Sequence, residues 1–310
     1  MTIKIAAAQA ASPFFDVQEG VERACDWIRR AGEQGVRLLA FGESWLPGYP
    51  FFIDAPLSPL WWEAAADYLA NAVTVPGPEI DAIAAAAKSA GVDVVIGVAE
   101  RYAPTASSVY ASLVFIASDG TLLGRHRKVK PTHHERSVWM DGDVKGLTVH
   151  PRDYARISGL NCWEHNILLP GFALIAQGTQ IHVAAWPGRE PPEAPPEPVW
   201  ARQHLLSRAF ASQAGAYVIA AAGLRRQTDV PEQYKPLSLF EHDGASAIID
   251  PRGEIVALAG AEEELLTAEV DFDLIRKCKS ACDPAGHYAR PDLFELRVDG
   301  RRVYPPETTD

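Results

Sequence analysis

The sequence predicts an α/β protein whose sheets mix parallel and antiparallel strands. Three observations lead there. Short apolar runs alternate with segments whose apolar residues recur at helical spacing, which puts helices between strands. Two pairs of apolar runs are joined by tight turns, one at Asp119-Gly120 and one at Pro251-Arg252-Gly253, so hairpins interrupt the alternation. The 310 residues are 47% hydrophobic, enough for a sizeable core. No fixed-period repeat is present, and residues 1–310 are expected to form one domain, with about 285–310 as a C-terminal extension.

The elements come in the following order. "IKIAAAQA" reads as a strand, residues 17–34 as an amphipathic helix, and "GVRLLAFGE" as a buried strand ending at Gly42-Glu43. A loop rich in proline and aromatics, "SWLPGYPFF", comes next. A helix over roughly 78–90 leads into the strand "VDVVIGVAE", and the first hairpin covers "VYASLVFIASDGTLLGRHRKV". Then come the strand "QIHVAAW", a helix near "ARQHLLSRAFASQAG" and the strand "AYVIAAAG". The second hairpin, "GASAIIDPRGEIVALAG", precedes the helix "FDLIRKCKSA" and a polar tail. The proline-rich stretch 187–198 reads as a stiff surface connector.

Composition narrows the function. A net charge of −11 argues against nucleic acid and anionic membrane surfaces, because phosphates demand a basic face. No apolar stretch reaches the ~20 residues of a membrane-spanning helix. "MTIKIAAAQA" has no basic leader and runs into a strand, which predicts a cytoplasmic protein. Its four cysteines, Cys25, Cys162, Cys278 and Cys282, are then expected as thiols. Cys278 and Cys282 lack the close pairing and extra ligands of a zinc site. His133 and His134 are adjacent, and so do not share a helix face as a metal-binding pair would. With no GxGxxG or P-loop pattern, neither metal nor cofactor is expected.

Chemistry-bearing residues collect at strand ends. Glu43 ends "VRLLAFGE", the cluster "RHRKVKPTHHER" comes after the first hairpin, and Cys162 comes after "YARISGLN". A carboxylate, a lysine and a thiol make a covalent-catalysis set. The thiolate attacks, the carboxylate takes its proton, and the ammonium stabilises developing charge. Strand spacing does not choose between Lys128 and Lys130, which would point to one face.

At these residues the chain resembles the nitrilase superfamily, and within it the true nitrilase branch. The likeness rests on "FGESWLPGYP" (41–50), "HRKVKPTHHER" (126–136), "NCWEH" (161–165) and "DPAGHYARPD" (283–292). It implies Glu43 as general base, Lys128 as catalytic lysine, Cys162 as nucleophile and Glu135 as a second, orienting carboxylate. It also implies a four-layer α-β-β-α sandwich and a homodimer or larger homo-oligomer built through helices on one outer face. Tyr49, Thr132, Trp163 and Pro187 are candidates for the pocket wall. That wall is expected to be aromatic and mostly apolar, suited to a small neutral nitrile. Two departures are visible: "GES" replaces the more usual "PEA" or "PEL", and Met140 stands where glycine is common, with a narrowed pocket or altered turn expected. Two other functions stay open. One is an amidase or carbamoylase of the same superfamily. The other is a non-catalytic binding or redox-sensing thiol protein, which fast alkylation of a low-pKa Cys162 would help separate.

Overall fold

The computed structural model describes residues 2–189 and 202–306. Residues 190–198 of the proline-rich stretch and 307–310 of the tail lie outside them. Along the chain the first half runs β1 (Thr2–Gln9), α1 (Val17–Glu33), β2 (Val36–Ala40), α2 (Pro59–Ala70), α3 (Pro78–Ala90), β3 (Asp93–Arg101), β4 (Val109–Ile116) and β5 (Leu122–Arg127). The second half runs β6 (His150–Pro151), β7 (Arg156–Asn161), α4 (Leu168–Ala176), β8 (Ile181–Trp186), α5 (Arg202–Ala214), β9 (Tyr217–Ala222), β10 (Leu224–Arg225), β11 (His242–Asp243), β12 (Ala247–Ile249), β13 (Ile255–Leu258), β14 (Glu264–Asp271), α6 (Phe272–Ala281), β15 (Leu296–Val298) and β16 (Arg301–Tyr304).

Two six-stranded sheets result, in the orders β14-β1-β2-β3-β4-β5 and β13-β12-β9-β8-β7-β6. In each, three parallel strands are flanked by antiparallel ones: β1, β2 and β3 in the first, β7, β8 and β9 in the second. The period of two explains the layering. Ile5 and Ala7 of β1 pack with Leu38, Val95 and Phe115 against Ile157, Val183 and Ile219 of the other sheet. Ala6 and Ala8 face the opposite way, onto Ala24, Ile28, Ile80 and Ile83 of α1 and α3. On the far side of the second sheet, Ala184, Val218 and Ala220 meet Phe210, Ala211 and Ala214 of α5. Helix, sheet, sheet and helix are therefore stacked as an α-β-β-α sandwich.

Three details differ from the sequence reading. β2 ends at Ala40, so Glu43 stands beyond the strand in the next loop. The aromatic loop leads into α2, capped by Ser58, which buries Trp61, Ala64 and Tyr68 and leaves Trp62 exposed. The polar tail holds the β15–β16 hairpin, which buries Val303 and Tyr304, with the Tyr304 ring 5.3 Å from Phe172 of α4.

Candidate active site

Three chain segments converge at one end of the sandwich. The first comes directly after β2. Gly97 of β3 lets it pass: a Cβ there would lie 2.1 Å from the Gly42 carbonyl oxygen and 2.5 Å from the Ser44 nitrogen. Beyond Gly42, the Glu43 amide donates to the Trp186 carbonyl of the second sheet at 3.0 Å, so this loop bridges the two sheets. The second segment comes after β5. The Lys128 amide donates to Ala111 at 2.7 Å and its carbonyl accepts from Gly142 at 2.8 Å, which fixes its backbone on both sides. The third is the 3₁₀ turn Cys162–Asn166 directly after β7. Ser44, His133 and Cys162 have φ of 45°, 43° and 48°, so three non-glycine residues in or beside the site adopt the left-handed conformation, at about 1 kcal/mol or more each.

The buried Lys128 ammonium donates to Glu43 Oε1 at 2.7 Å and to Glu135 Oε2 at 2.6 Å. Glu135 also accepts from the Thr132 amide at 2.6 Å and the Tyr49 hydroxyl at 2.8 Å. The second oxygen of Glu43 has no hydrogen-bond partner. The Cys162 sulfur and one oxygen of each carboxylate lie within 4.8 Å of one another. These three groups form the one ligand-type cluster among the described residues, and the Lys128 ammonium already bridges its two carboxylates as the counter-cation. Lys130 is elsewhere, half exposed and paired with Asp141 at 2.7 Å. The strand ends at Arg127, so the two-residue period that would align the two lysines stops before either.

Burial sets the proton affinities. Two carboxylates and one ammonium share a dry site, which leaves one negative charge in excess. Glu43, which accepts from Lys128 alone, responds to this excess: burial pushes it up to about 8, with Lys128 opposing and Glu135 assisting. For Lys128 burial pulls down, but Glu135 and Glu43 outweigh it and hold the ammonium above its ordinary value. Burial, then Glu43, push the Cys162 thiol well up, against Lys128. The resting sulfur carries its proton, and activation needs a base beside it.

Glu164, which sequence reasoning passed over, ties the segments together. Its carboxylate accepts from the Asn161 amide at 2.9 Å, the Val129 amide at 2.7 Å and His126 Nε2 at 3.0 Å. The backbone just before the thiol and the backbone just after the lysine are thus held by one buried side chain. The sequence signal was present: Asn161-x-x-Glu164 repeats the spacing of Thr132-x-x-Glu135, and in both turns the glutamate reaches back to the amide three residues earlier.

A cavity of about 130 Å³ opens over Cys162. Tyr49, Thr132, Trp163 and Pro187 all line it. Its wall is less apolar than the sequence suggested: Asp54, His133, His134, Arg189, Gln203 and His242 contribute as well. His134 pairs with Asp54 at 2.9 Å and Arg189 with Asp243 at 2.6 Å. These groups come from segments distant in sequence, which no local pattern reveals. Met140 is exposed and does not line the cavity; its amide donates to Val109 at 2.8 Å.

Comparison with known proteins identifies the family. The family model for carbon-nitrogen hydrolases matches residues 4–280. The chain is 50% identical over 299 residues to "Nitrilase 2" from an unknown prokaryotic organism, covering 96% of this chain and 92% of that one. It is 35% identical to an aliphatic nitrilase from Rhodococcus rhodochrous, covering 99% and 85%. The fold matches the crystal structure of a carbon-nitrogen hydrolase from Helicobacter pylori G27 with a TM-score of 0.74 at 19% identity, covering 94% and 97%. The chain belongs to the carbon-nitrogen hydrolase family and is a hydrolase of carbon–nitrogen bonds.

Proposed function

We propose that the protein is a nitrilase that converts a small organic nitrile to the carboxylic acid and ammonia, with Glu43, Lys128 and Cys162 as catalytic residues and Glu135 orienting the lysine. The observation that carries this reading is the buried Lys128 ammonium bridging two carboxylates within reach of the Cys162 thiol. The similarity to nitrilases supports the nitrile as substrate.

Glu43 takes the thiol proton through its unpartnered oxygen as sulfur attacks the nitrile carbon. Lys128 and the Trp163 amide, which points at the Cys162 sulfur, stabilise the charge that develops on nitrogen. Glu43 passes the proton on to this nitrogen, and the product of the step is a neutral thioimidate. Water adds to its carbon, the C–N bond breaks, ammonia leaves, and an acyl-thioester remains. A second water cleaves the C–S bond, giving the acid and returning the proton to the thiol. One nitrile and two waters become one acid and one ammonia. The small cavity favours a short nitrile, and its mixed wall leaves room for one bearing a polar group.

The same proposal includes self-association and a cytoplasmic location. Leu168 and Leu169 of α4 and Leu205 of α5 are exposed on the outer face of the second sheet, which supports a homodimer or larger assembly through these helices. Four free thiols suit a reducing compartment. Among the described residues no helix is long and apolar enough to cross a membrane. The test is ammonia release from a panel of aliphatic, arylaliphatic and aromatic nitriles, with the matching amides, for the native enzyme and Cys162→Ala. Turnover of nitriles that vanishes in the variant is expected. Turnover of amides alone would make the protein an amidase, and an active Cys162→Ala would remove the mechanism.

A further inference from the structure

Behind the nucleophile, on the side away from the cavity, a line of polar groups leads from the Cys162 backbone through the half-buried His165 into the second sheet. His165 Nδ1 lies 2.7 Å from the Cys162 carbonyl oxygen. His165 Nε2 lies 3.0 Å from His182 Nε2. His182 Nδ1 lies 2.8 Å from Ser158 Oγ, which lies 2.7 Å from Thr179 Oγ1. Ser158, Thr179 and His182 are fully buried, and none of these four side chains lines the cavity over Cys162. Two aromatic rings hold the imidazoles flat: Trp186 stacks on His165 at 5.6 Å and 21°, and Phe210 on His182 at 3.9 Å and 22°.

Proton positions along this line have one consistent solution. A carbonyl oxygen only accepts, so His165 carries its proton on Nδ1. Its Nε2 then accepts, and the facing His182 Nε2 must donate. His182 Nδ1 is left bare and takes the Ser158 hydroxyl proton. The Ser158 oxygen in turn accepts from Thr179, whose single hydroxyl proton favours this 2.7 Å contact over the Ile181 carbonyl at 3.4 Å. A second proton on either ring is opposed by burial, which lowers His165 to about 4 and His182 well below its ordinary value. Every donor therefore points the same way, toward Cys162, and bonds aligned in this manner polarise one another.

We propose that Thr179, Ser158, His182 and His165 form a one-way hydrogen-bond relay that holds the Cys162 carbonyl and thereby keeps the nucleophile in its left-handed conformation. Its members are positioning residues, and none touches the reacting atoms. The Glu164 carboxylate grips the amide just before Cys162 at Asn161, and the relay grips the carbonyl just after the Cys162 side chain. Between these two anchors the backbone of a residue at φ 48° has no freedom to relax toward the right-handed region. The link to catalysis rests on Cys162 being the nucleophile; the proton pattern does not.

Two measurements test it. Neutron crystallography of the deuterium-exchanged native protein should place deuterium on His165 Nδ1 and His182 Nε2, leaving the other nitrogen of each ring bare. Deuterium on His165 Nε2 or on His182 Nδ1 overturns the relay. Ser158→Ala removes the donor to His182 Nδ1 and leaves that ring free to take its other tautomer, which sets two lone pairs face to face at His165. The expected kinetic result is a kcat about tenfold lower with KM changed less than about twofold, because the nucleophile shifts and the cavity wall does not. An unchanged kcat, or a loss confined to KM, overturns the positioning role. A native enzyme that turns over no nitrile or amide counts against the proposed function, and the deuterium positions still decide the relay.

Discussion

Lys128 and Lys130 stand two residues apart with opposite surroundings, one sealed between two carboxylates and the other half exposed beside Asp141. Removing the first leaves two buried carboxylates without their cation and the reaction without its charge stabiliser. Lys128→Ala is expected to lower kcat by about 10²-fold or more, whereas Lys130→Ala should stay within about threefold. Steady-state ammonia release compares them, and a healthy Lys128 variant would refute the assignment. The proton affinity of Glu43 makes a second prediction. A carboxyl lifted to about 8 is largely protonated at neutral pH, and its basic form grows as pH rises. The ratio kcat/KM should therefore climb across roughly pH 7 to 9 with an apparent pKa that belongs to the Glu43–Lys128–Glu135–Cys162 group as a whole. A profile flat over that range would remove Glu43 as the base.

Among the elements, β3 is where fold and site meet most tightly. Gly97 has to be glycine because the loop carrying Glu43 crosses it at 2.1 Å from where a Cβ would be, and both contacting atoms are backbone. Gly97→Ala is expected to cost on the order of 1–3 kcal/mol of stability and to lower activity by displacing Glu43, measured by urea unfolding alongside kinetics. The helices α1, α3, α5 and α6 could be read from periodicity, since each lays one apolar stripe on a sheet or core. Two could not. α2 comes after an aromatic loop whose side chains bury as deeply as its own. α4 is apolar on nearly every side and carries Pro170 in its first turn, where proline is tolerated but looks like a break. β14 was unreadable for another reason: its partner β1 lies some 260 residues upstream, and nothing local encodes that pairing. The same division holds in the site. Glu43, Lys128, Glu135 and Cys162 sit in short motifs, whereas the polar wall and the histidines behind the thiol are assembled from segments that only the folded chain brings together.

For the molecule as a whole, buried imidazoles link stability to acid. Burial lowers His150 and His165 from the ordinary 6.5 to about 4. Below pH 6.5 the unfolded chain binds protons that these folded rings refuse, so their stabilising contribution is complete above about 6.5 and is lost as pH falls toward 4. The proton held by Glu43 works the other way, adding stability as pH falls from about 8, so the urea midpoint should rise slightly from about pH 8 to 7. Below about 6.5 the lowered imidazoles, His182 and His242 among them, outnumber that one carboxyl and the midpoint should decline; a midpoint unchanged from about pH 6.5 down to about 4.5 would contradict this. One feature of the topology also governs how the molecule meets mechanical force. β14 returns to the outer edge of β1 antiparallel to it, with Asp271 opposite Thr2 and Glu264 opposite Gln9. The chain enters this ladder and leaves it at the same end. Tension applied between the two ends of the chain, as in an optical trap, first strips away the segment beyond Asp271 and then peels β14 from β1 one rung at a time. The load never falls on all the rungs together as it would in shear. A sheet edge that closes the sandwich against heat and denaturant is, along this axis, a zipper that opens from its tab.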